Sequence, residues 1–185
     1  LVPSLFERDI PNQILGREKD SINIKCGAVV IYFNCFGRKT PVLIDTLLPT
    51  KNGGLRFSHP LDHSKSAWFC LVEKAYAKLN GSYSSIITGF ITNAIYSIYG
   101  YYPKNKCLKE LSTSEKVAKM SLFERMMKYQ SQGAVIGVSI KEKYLLQGVT
   151  KQEVQSKGLV FDHCYLVSKI REHEGKKFFC LRNPW

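Results

Sequence analysis

Two apolar runs at the end of the chain constrain its fold most strongly. Residues 159–167 and 178–185 are rich in β-branched, aromatic and aliphatic side chains, and a polar segment that contains Gly175 separates them. Runs of this composition on either side of a short glycine-containing turn are typical of two antiparallel strands. The sequence therefore predicts a β-hairpin with its tip at residues 172–175.

A histidine and an asparagine lie toward opposite ends of this predicted hairpin. His163 belongs to the first strand, and Asn183 ends the second strand and precedes Pro184 and Trp185. A carboxamide that accepts a hydrogen bond from one imidazole nitrogen fixes the ring tautomer and directs the other nitrogen toward a nucleophile, as in Cys-His-Asn sites. A lone histidine on a strand is more often structural. Here the pairing with Asn183 favours catalysis, with the Trp185 indole shielding the pair from water.

Four segments, in order along the chain, resemble motifs of the calpain family of cysteine proteases. Residues 42–53 resemble V-V-D-D-x-L-P-T-x-x-G, and residues 73–83 resemble the helix E-K-A-Y-A-K-L-N-G-x-Y. His163-x-Tyr165 and Arg182-Asn183-Pro184-Trp185 look like the family's histidine and asparagine motifs. These segments follow the family's order from residue 42 to the last residue of the sequence, and on them the sequence is identified as a member of the calpain family.

The resemblance implies an α+β fold that forms part of a papain-like two-lobe protease core. We expect a helical first lobe, without the helix that carries the catalytic cysteine, and a β-rich second lobe. A polar, proline-containing composition change at residues 101–106 predicts the junction between them. We therefore assign residues 1–101 to the C-terminal part of the first lobe and residues 102–185 to the N-terminal part of the second.

Hydrophobic periodicity and capping signals predict the elements before the final hairpin. Before residue 101 they are a hairpin of strands at 22–33 and 42–44, a helix that stops at Asn80-Gly81 and a short helix that ends near Gly100. After residue 101 they are a helix that starts at the Ser121 and Glu124 capping box, a buried strand at 134–140 and a helix at Thr150-x-x-Glu153.

The nucleophile is the missing part of the expected chemistry. The family places it in a Gly-x-Cys-Trp motif at the start of a helix, where the helix dipole lowers the thiol pKa. No cysteine of this sequence is followed by tryptophan, so we expect the nucleophile upstream of Leu1. His163 would then act as general base and acid, and Asn183 would orient it. The alternative is a calpain-like pseudoprotease that keeps the fold as an interaction module.

Two more residues are implied to bind substrate. Gly100 matches the first glycine of a family Gly-Gly pair at the edge of the cleft, although Tyr101 replaces the second. Asp162 stands where the family usually has glycine before the histidine, and we expect it to make the substrate subsite narrower and more acidic.

Calcium is implied by the family and not by these residues. Ser84 or Ser85 stands where an acidic ligand would be expected, and the sequence offers no clustered carboxylates of the kind that Ca²⁺ needs. We therefore predict no metal-binding residue in this segment.

The remaining totals restrict the compartment and the partners. The formal charge is +12, but the sequence has no long run of basic residues, so we interpret the excess as a solvated surface and not as a nucleic-acid site. A membrane-surface module would rest on this charge alone. No apolar run is long enough to span a bilayer. Six irregularly spaced cysteines permit disulfides but favour free thiols. We expect a cytoplasmic protein with protein substrates, joined to further calpain domains of the same chain.

Overall fold

A computed structural model describes residues 22–23, 27–58, 68–107, 120–145 and 147–183. The chain divides into two compact units, Leu1–Lys104 and Asn105–Trp185. Both units contain helices and strands, which confirms the α+β class. The assignment of residues 1–101 and 102–185 to two papain-like lobes stays a prediction.

The first unit is built on an antiparallel hairpin. Its strands are β1 (Ile22–Asn23), β2 (Ala28–Cys35) and β3 (Arg38–Asp45), in the order β1-β2-β3, and a second hairpin joins β4 (Thr50–Lys51) to β5 (Gly54–Leu55). Phe36 and Gly37 connect β2 to β3 with φ angles of 49° and 77°, because a two-residue turn that matches the strand twist needs both residues left-handed. The predicted hairpin is confirmed in β2 and β3. The strand expected at 22–33 is not continuous, because the chain reverses near Gly27, which has a φ angle of 69°, and β1 pairs antiparallel with β2.

Two helices of the first unit also end where the sequence indicated. They are α1 (Trp68–Leu79) and α2 (Ile91–Tyr99). Gly81 and Gly100 follow them with φ angles of 96° and 76°, the left-handed conformation that ends a helix at little cost only for glycine. The side chains of Val29, Ile31 and Phe33 are buried on one face of β2, and the Phe33 ring lies 5.7 Å from that of Tyr76 on α1.

The second unit packs a helix against a three-stranded sheet. Its described elements are α3 (Leu122–Ser131), β6 (Gly137–Ser139), α4 (Lys151–Ser156), β7 (Cys164–His173) and β8 (Lys176–Arg182), and the strand order is β6-β7-β8. The capping box of Ser121 and Glu124 is present in full, and the Thr150 hydroxyl caps α4, as predicted. Phe123, Val167 and Ile170 form the core of this unit.

The final hairpin is confirmed, and the strand before it is not as predicted. The β7–β8 turn lies at Glu174 and Gly175, whose φ angles are 49° and 70°. The expected buried strand at 134–140 is reduced to β6, in which Gly137 and Ser139 are exposed. The reason is that β6 lies at a sheet edge and pairs with β7 through three residues, so Val138 packs on the core while its neighbours face away.

No described helix has both the length and the apolar character needed to cross a bilayer.

Candidate functional site

The β7–β8 hairpin brings His163 and Asn183 into contact. His163 immediately precedes β7 and Asn183 immediately follows β8, so antiparallel pairing places them at the same end of the hairpin. The imidazole Nε2 of His163 and the carboxamide Oδ1 of Asn183 lie 2.8 Å apart, which confirms the predicted proximity. Because an amide oxygen only accepts, Nε2 donates in this contact, and the basic nitrogen of the neutral ring is Nδ1.

Burial distinguishes the two members of this pair. His163 is 8% exposed and is the one polar or charged residue that is buried among those the structure describes, whereas Asn183 is exposed. A buried ring has few alternative orientations, so its contacts determine where each nitrogen points. Trp185, which was expected to shield the pair, lies outside the described residues.

Tyr165 holds both the histidine ring and the loop before it. Its ring meets the His163 ring edge-to-face, with centroids 4.9 Å apart and an interplanar angle of 87°. Its hydroxyl oxygen accepts a hydrogen bond from the backbone N–H of Val160 at 2.8 Å, and the residue is 3% exposed. The sequence singled out Tyr165 only as part of a motif, and its two contacts could not be read from that pattern.

The backbone conformation at Asp162 explains why the family usually has glycine at this position. Its φ angle is 56°, in the left-handed region that glycine adopts freely and aspartate tolerates better than most residues. The Asp162 N–H donates to the carbonyl of Ile140 at 2.9 Å, and the carboxylate lies 2.6 Å from the Nζ of Lys141. The ion pair offsets the acidic character that we expected this residue to give a substrate subsite. A role in binding substrate stays a prediction.

Gly100, in the first unit, also has a structural reason to be glycine. A Cβ at this position would lie 3.1 Å from the carboxamide of Asn34, in addition to the strain of the positive φ angle. The Nδ2 of Asn34 donates to the carbonyl of Ile98 at 2.9 Å, so the side chain of β2 caps the C-terminal end of α2. These contacts explain the glycine, and its part in substrate binding stays a prediction.

Two described cysteines have thiols that are poorly suited to act as nucleophiles. Burial raises the pKa of the Cys70 thiol and also that of Cys164, so both are protonated at neutral pH. The Cys70 Sγ donates to the carbonyl of Ser58 at 3.3 Å, and Cys164, directly after His163, directs its Sγ to the carbonyl of Tyr165 at 3.7 Å.

Gln130 on α3 braces the strand that follows the histidine. β7 has a register shift between Val167 and Lys169, where its backbone groups do not follow the regular ladder. The Gln130 Oε1 accepts from the N–H of Ile170 at 3.0 Å, and its Nε2 donates to the carbonyl of Val167 at 3.2 Å. One amide thus satisfies both sides of the irregularity. A single glutamine in a helix gives no sequence signal for this role.

The described residues do not fit a calcium site. Among them, no three His, Cys, Asp or Glu side chains are grouped closely enough to hold a metal ion. The hydroxyls of Ser82 and Ser85, near the position where an acidic ligand was expected, hydrogen-bond to each other at 2.9 Å.

Comparisons with known proteins place this geometry in context. Residues 4–185 match the family described as calpain family cysteine protease. Mouse calpain-5 is 35% identical over 178 residues, which cover 85% of this chain and 26% of that protein. The chicken calpain-2 catalytic subunit is 31% identical over 97% of this chain and 25% of its own length, and Drosophila melanogaster calpain-B is 32% identical over 98% and 19%. The chain thus spans about a quarter or less of these relatives.

Proposed function

Because the chain belongs to the calpain family of cysteine proteases, we propose that the protein containing it hydrolyses peptide bonds of other proteins. His163 is the general base and acid, and Asn183 is the residue that orients it. The observation that carries this proposal is the 2.8 Å contact between His163 Nε2 and Asn183 Oδ1. The thiol nucleophile is supplied by residues outside this sequence.

The same contact supports a different proposed role for each ring nitrogen. Nε2–H donates a hydrogen bond to Asn183 Oδ1 and keeps its proton. Nδ1 therefore accepts the proton of the attacking thiol, and the ring becomes an imidazolium. The thiolate sulfur bonds to the scissile carbonyl carbon, and Nδ1–H then passes its proton to the departing amine. In the second half-reaction Nδ1 takes a proton from water, and the water oxygen bonds to the acyl carbon as the carbon–sulfur bond breaks. The departing thiolate then takes the proton back from Nδ1, which restores the thiol and the neutral ring. The Asn183 contact holds the ring in one orientation throughout.

We further propose that calcium regulates the protein through ligands that lie outside the described residues, as the family implies. The steps above are written only for His163, Asn183, the thiol and the substrate, and the described residues contain no group of three His, Cys, Asp or Glu side chains that could hold a metal ion. The five described cysteines are free thiols, which supports a reducing compartment such as the cytoplasm. Substrates are other proteins, and further calpain domains of the same chain are the partners expected from the length of the relatives.

The test measures hydrolysis of casein by the full-length protein with calcium supplied, together with labelling by a thiol-reactive epoxide. His163→Ala is expected to lower kcat by at least about a thousandfold, because the base and the proton donor are lost together. Asn183→Ala is expected to lower it less, since the ring still reaches the thiol in some orientations. His173→Ala is the matched control: its side chain lies exposed at the hairpin tip and its loss should leave activity unchanged.

Thermal melts of each variant separate a catalytic loss from a folding defect. Wild-type protein that neither cleaves casein nor reacts with the epoxide would contradict the protease assignment. The substitutions at Asp162 and Tyr101 would then favour the pseudoprotease, a fold retained as an interaction module.

A further inference from the structure

The tip of the β2–β3 hairpin presents an aromatic side chain entirely to solvent. Phe36 is 100% exposed, the highest value among the large hydrophobic residues of the described chain. It adopts a φ angle of 49°, so the backbone at this position is strained for a phenylalanine while the ring makes no compensating burial. Because the Phe36 ring is not buried in the core, it is available to contact a partner outside the described part of the protein.

Two tyrosines join the hairpin tip to form one aromatic surface. The backbone N–H of Gly37, next to Phe36, donates to the hydroxyl of Tyr96 at 3.1 Å. The Tyr96 ring stacks on that of Tyr102, with centroids 4.5 Å apart, and Tyr102 is 82% exposed. The hairpin tip is therefore joined to Tyr96 through the backbone of Gly37, and Tyr96 is joined to Tyr102 through ring stacking.

Three exposed cations lie close in sequence to this surface. Arg38 and Lys39 follow the tip and are exposed, and Lys104 is exposed two residues after Tyr102. The sequence has no aspartate or glutamate at residues 21–44 or at residues 74–109, the two stretches that supply the tip, α2 and the segment after α2. Acidic residues that would repel an anionic surface are thus missing from both stretches.

We propose that the β2–β3 tip and the neighbouring tyrosines dock the protein on an anionic lipid surface. The residues that make this contact are Phe36, Arg38, Lys39, Tyr96, Tyr102 and Lys104. The Phe36 ring enters the boundary between headgroups and acyl chains, the tyrosines lie at headgroup level, and the three cations contact lipid phosphates and carboxylates. One fully exposed ring beside exposed cations suits a lipid surface, which can deform around it, better than a rigid protein interface, which needs about 800 Å² on each partner.

The test is cosedimentation of the full-length protein with vesicles of phosphatidylcholine and phosphatidylserine in a ratio of about seven to three, compared with vesicles of phosphatidylcholine alone. Phe36→Ser is expected to lower the partition coefficient about tenfold or more, the loss that follows from no longer burying the ring. Arg38→Gln and Lys39→Gln are each expected to lower it about fivefold and to reduce the dependence of binding on salt.

Leu47→Ser and Lys51→Gln are the matched controls. Leu47 is 78% exposed and follows β3 at the end opposite the tip, and Lys51 is an exposed cation beyond it. Neither change should affect binding. In Phe36→Trp, fluorescence quenching by brominated lipids should report insertion of the ring.

Equal binding of the Phe36→Ser variant and the wild type would overturn the proposal, as would binding that does not require phosphatidylserine. Absence of vesicle binding by the wild-type protein would overturn it as well. Because none of these residues belongs to the His163 and Asn183 pair, casein hydrolysis should be unchanged in free solution. The membrane proposal and the protease proposal can therefore fail separately.

Discussion

The hydroxyl oxygen of Tyr165 accepts a hydrogen bond from the N–H of Val160 at 2.8 Å, while the ring of the same tyrosine meets the His163 imidazole edge-to-face. One side chain therefore anchors the loop that leads to the histidine and also fixes one wall of the space around its ring. The position of the His163 ring therefore depends on the contacts of Tyr165.

Removing only the hydroxyl of Tyr165 should loosen this loop. In Tyr165→Phe the Val160 N–H loses its acceptor, a change worth about 1 kcal/mol, while the contact with His163 is kept. We expect kcat to fall by about threefold to tenfold and KM to change little. Tyr165→Leu, which also removes the ring, should have the larger effect on kcat. Steady-state kinetics of the full-length protein provide the measurement, and a purely structural role would instead lower the amount of active enzyme with both constants unchanged.

The amide of Gln130 should stabilise β7 through its acceptor more than through its donor. Gln130→Leu leaves the Ile170 N–H and the Val167 carbonyl without this partner, and we expect a loss of about 1–3 kcal/mol in local stability. Gln130→Glu keeps an acceptor for the N–H and should lose less. Amide hydrogen exchange in a peptide that contains Ile170 reports the local opening. Equal exchange rates in the two variants would show that the N–H contact is not the important one.

Two glycines that end helices should differ in their tolerance of alanine. Gly81→Ala meets a φ angle of 96° with no atom within 4 Å of the new Cβ, so only backbone strain of about 1 kcal/mol is expected. Gly100→Ala meets the same kind of strain and also a Cβ placed 3.1 Å from Asn34, and we expect about 2 kcal/mol or more. Thermal denaturation compares them. In an Asn34→Ala background, which already lacks the contact with Ile98, Gly100→Ala should cost less than it does in the wild type.

The Lys74–Asp45 ion pair should make stability depend on pH. Hydrogen bonding to the Lys74 ammonium, 2.6 Å away, lowers the pKa of Asp45 in the folded protein. A carboxylate whose folded pKa is depressed stabilises the fold above its unfolded pKa of about 3.9, and this contribution is lost as the pH falls through the folded pKa. Lys74→Met should therefore lower the melting temperature at pH 7 and have a smaller effect near pH 2. An effect of equal size at both pH values would point instead to the lost contact with the Leu47 carbonyl.

The features that could be predicted from the sequence are those determined by neighbouring residues. The Ser121 capping box, the glycine after α1 and the two-residue turn at Glu174-Gly175 each depend on local backbone chemistry, and all are present. The proximity of His163 and Asn183 could also be predicted, because a single hairpin joins them.

What could not be predicted depends on residues far apart in the chain. Asn34 caps α2 across 64 positions and Gln130 reaches β7 across 40, and no local pattern encodes either contact. The apolar residues at 134–140 indicated a buried strand because composition does not reveal whether a strand lies at the edge of its sheet. The Lys141–Asp162 ion pair could not be predicted either, because only the fold brings these residues, 21 positions apart, together.

The hairpin has a further consequence for how the protein folds. His163 and Asn183 are 20 positions apart, and the tight turn at Glu174-Gly175 closes the segment between them. Hairpins form within about 1–10 μs, and the entropy of closing a loop rises only with the logarithm of its length. The contact between the imidazole and the amide thus has a small sequence separation, and it forms when this one hairpin closes. During synthesis, the pair becomes available for closure as soon as Asn183 leaves the ribosome.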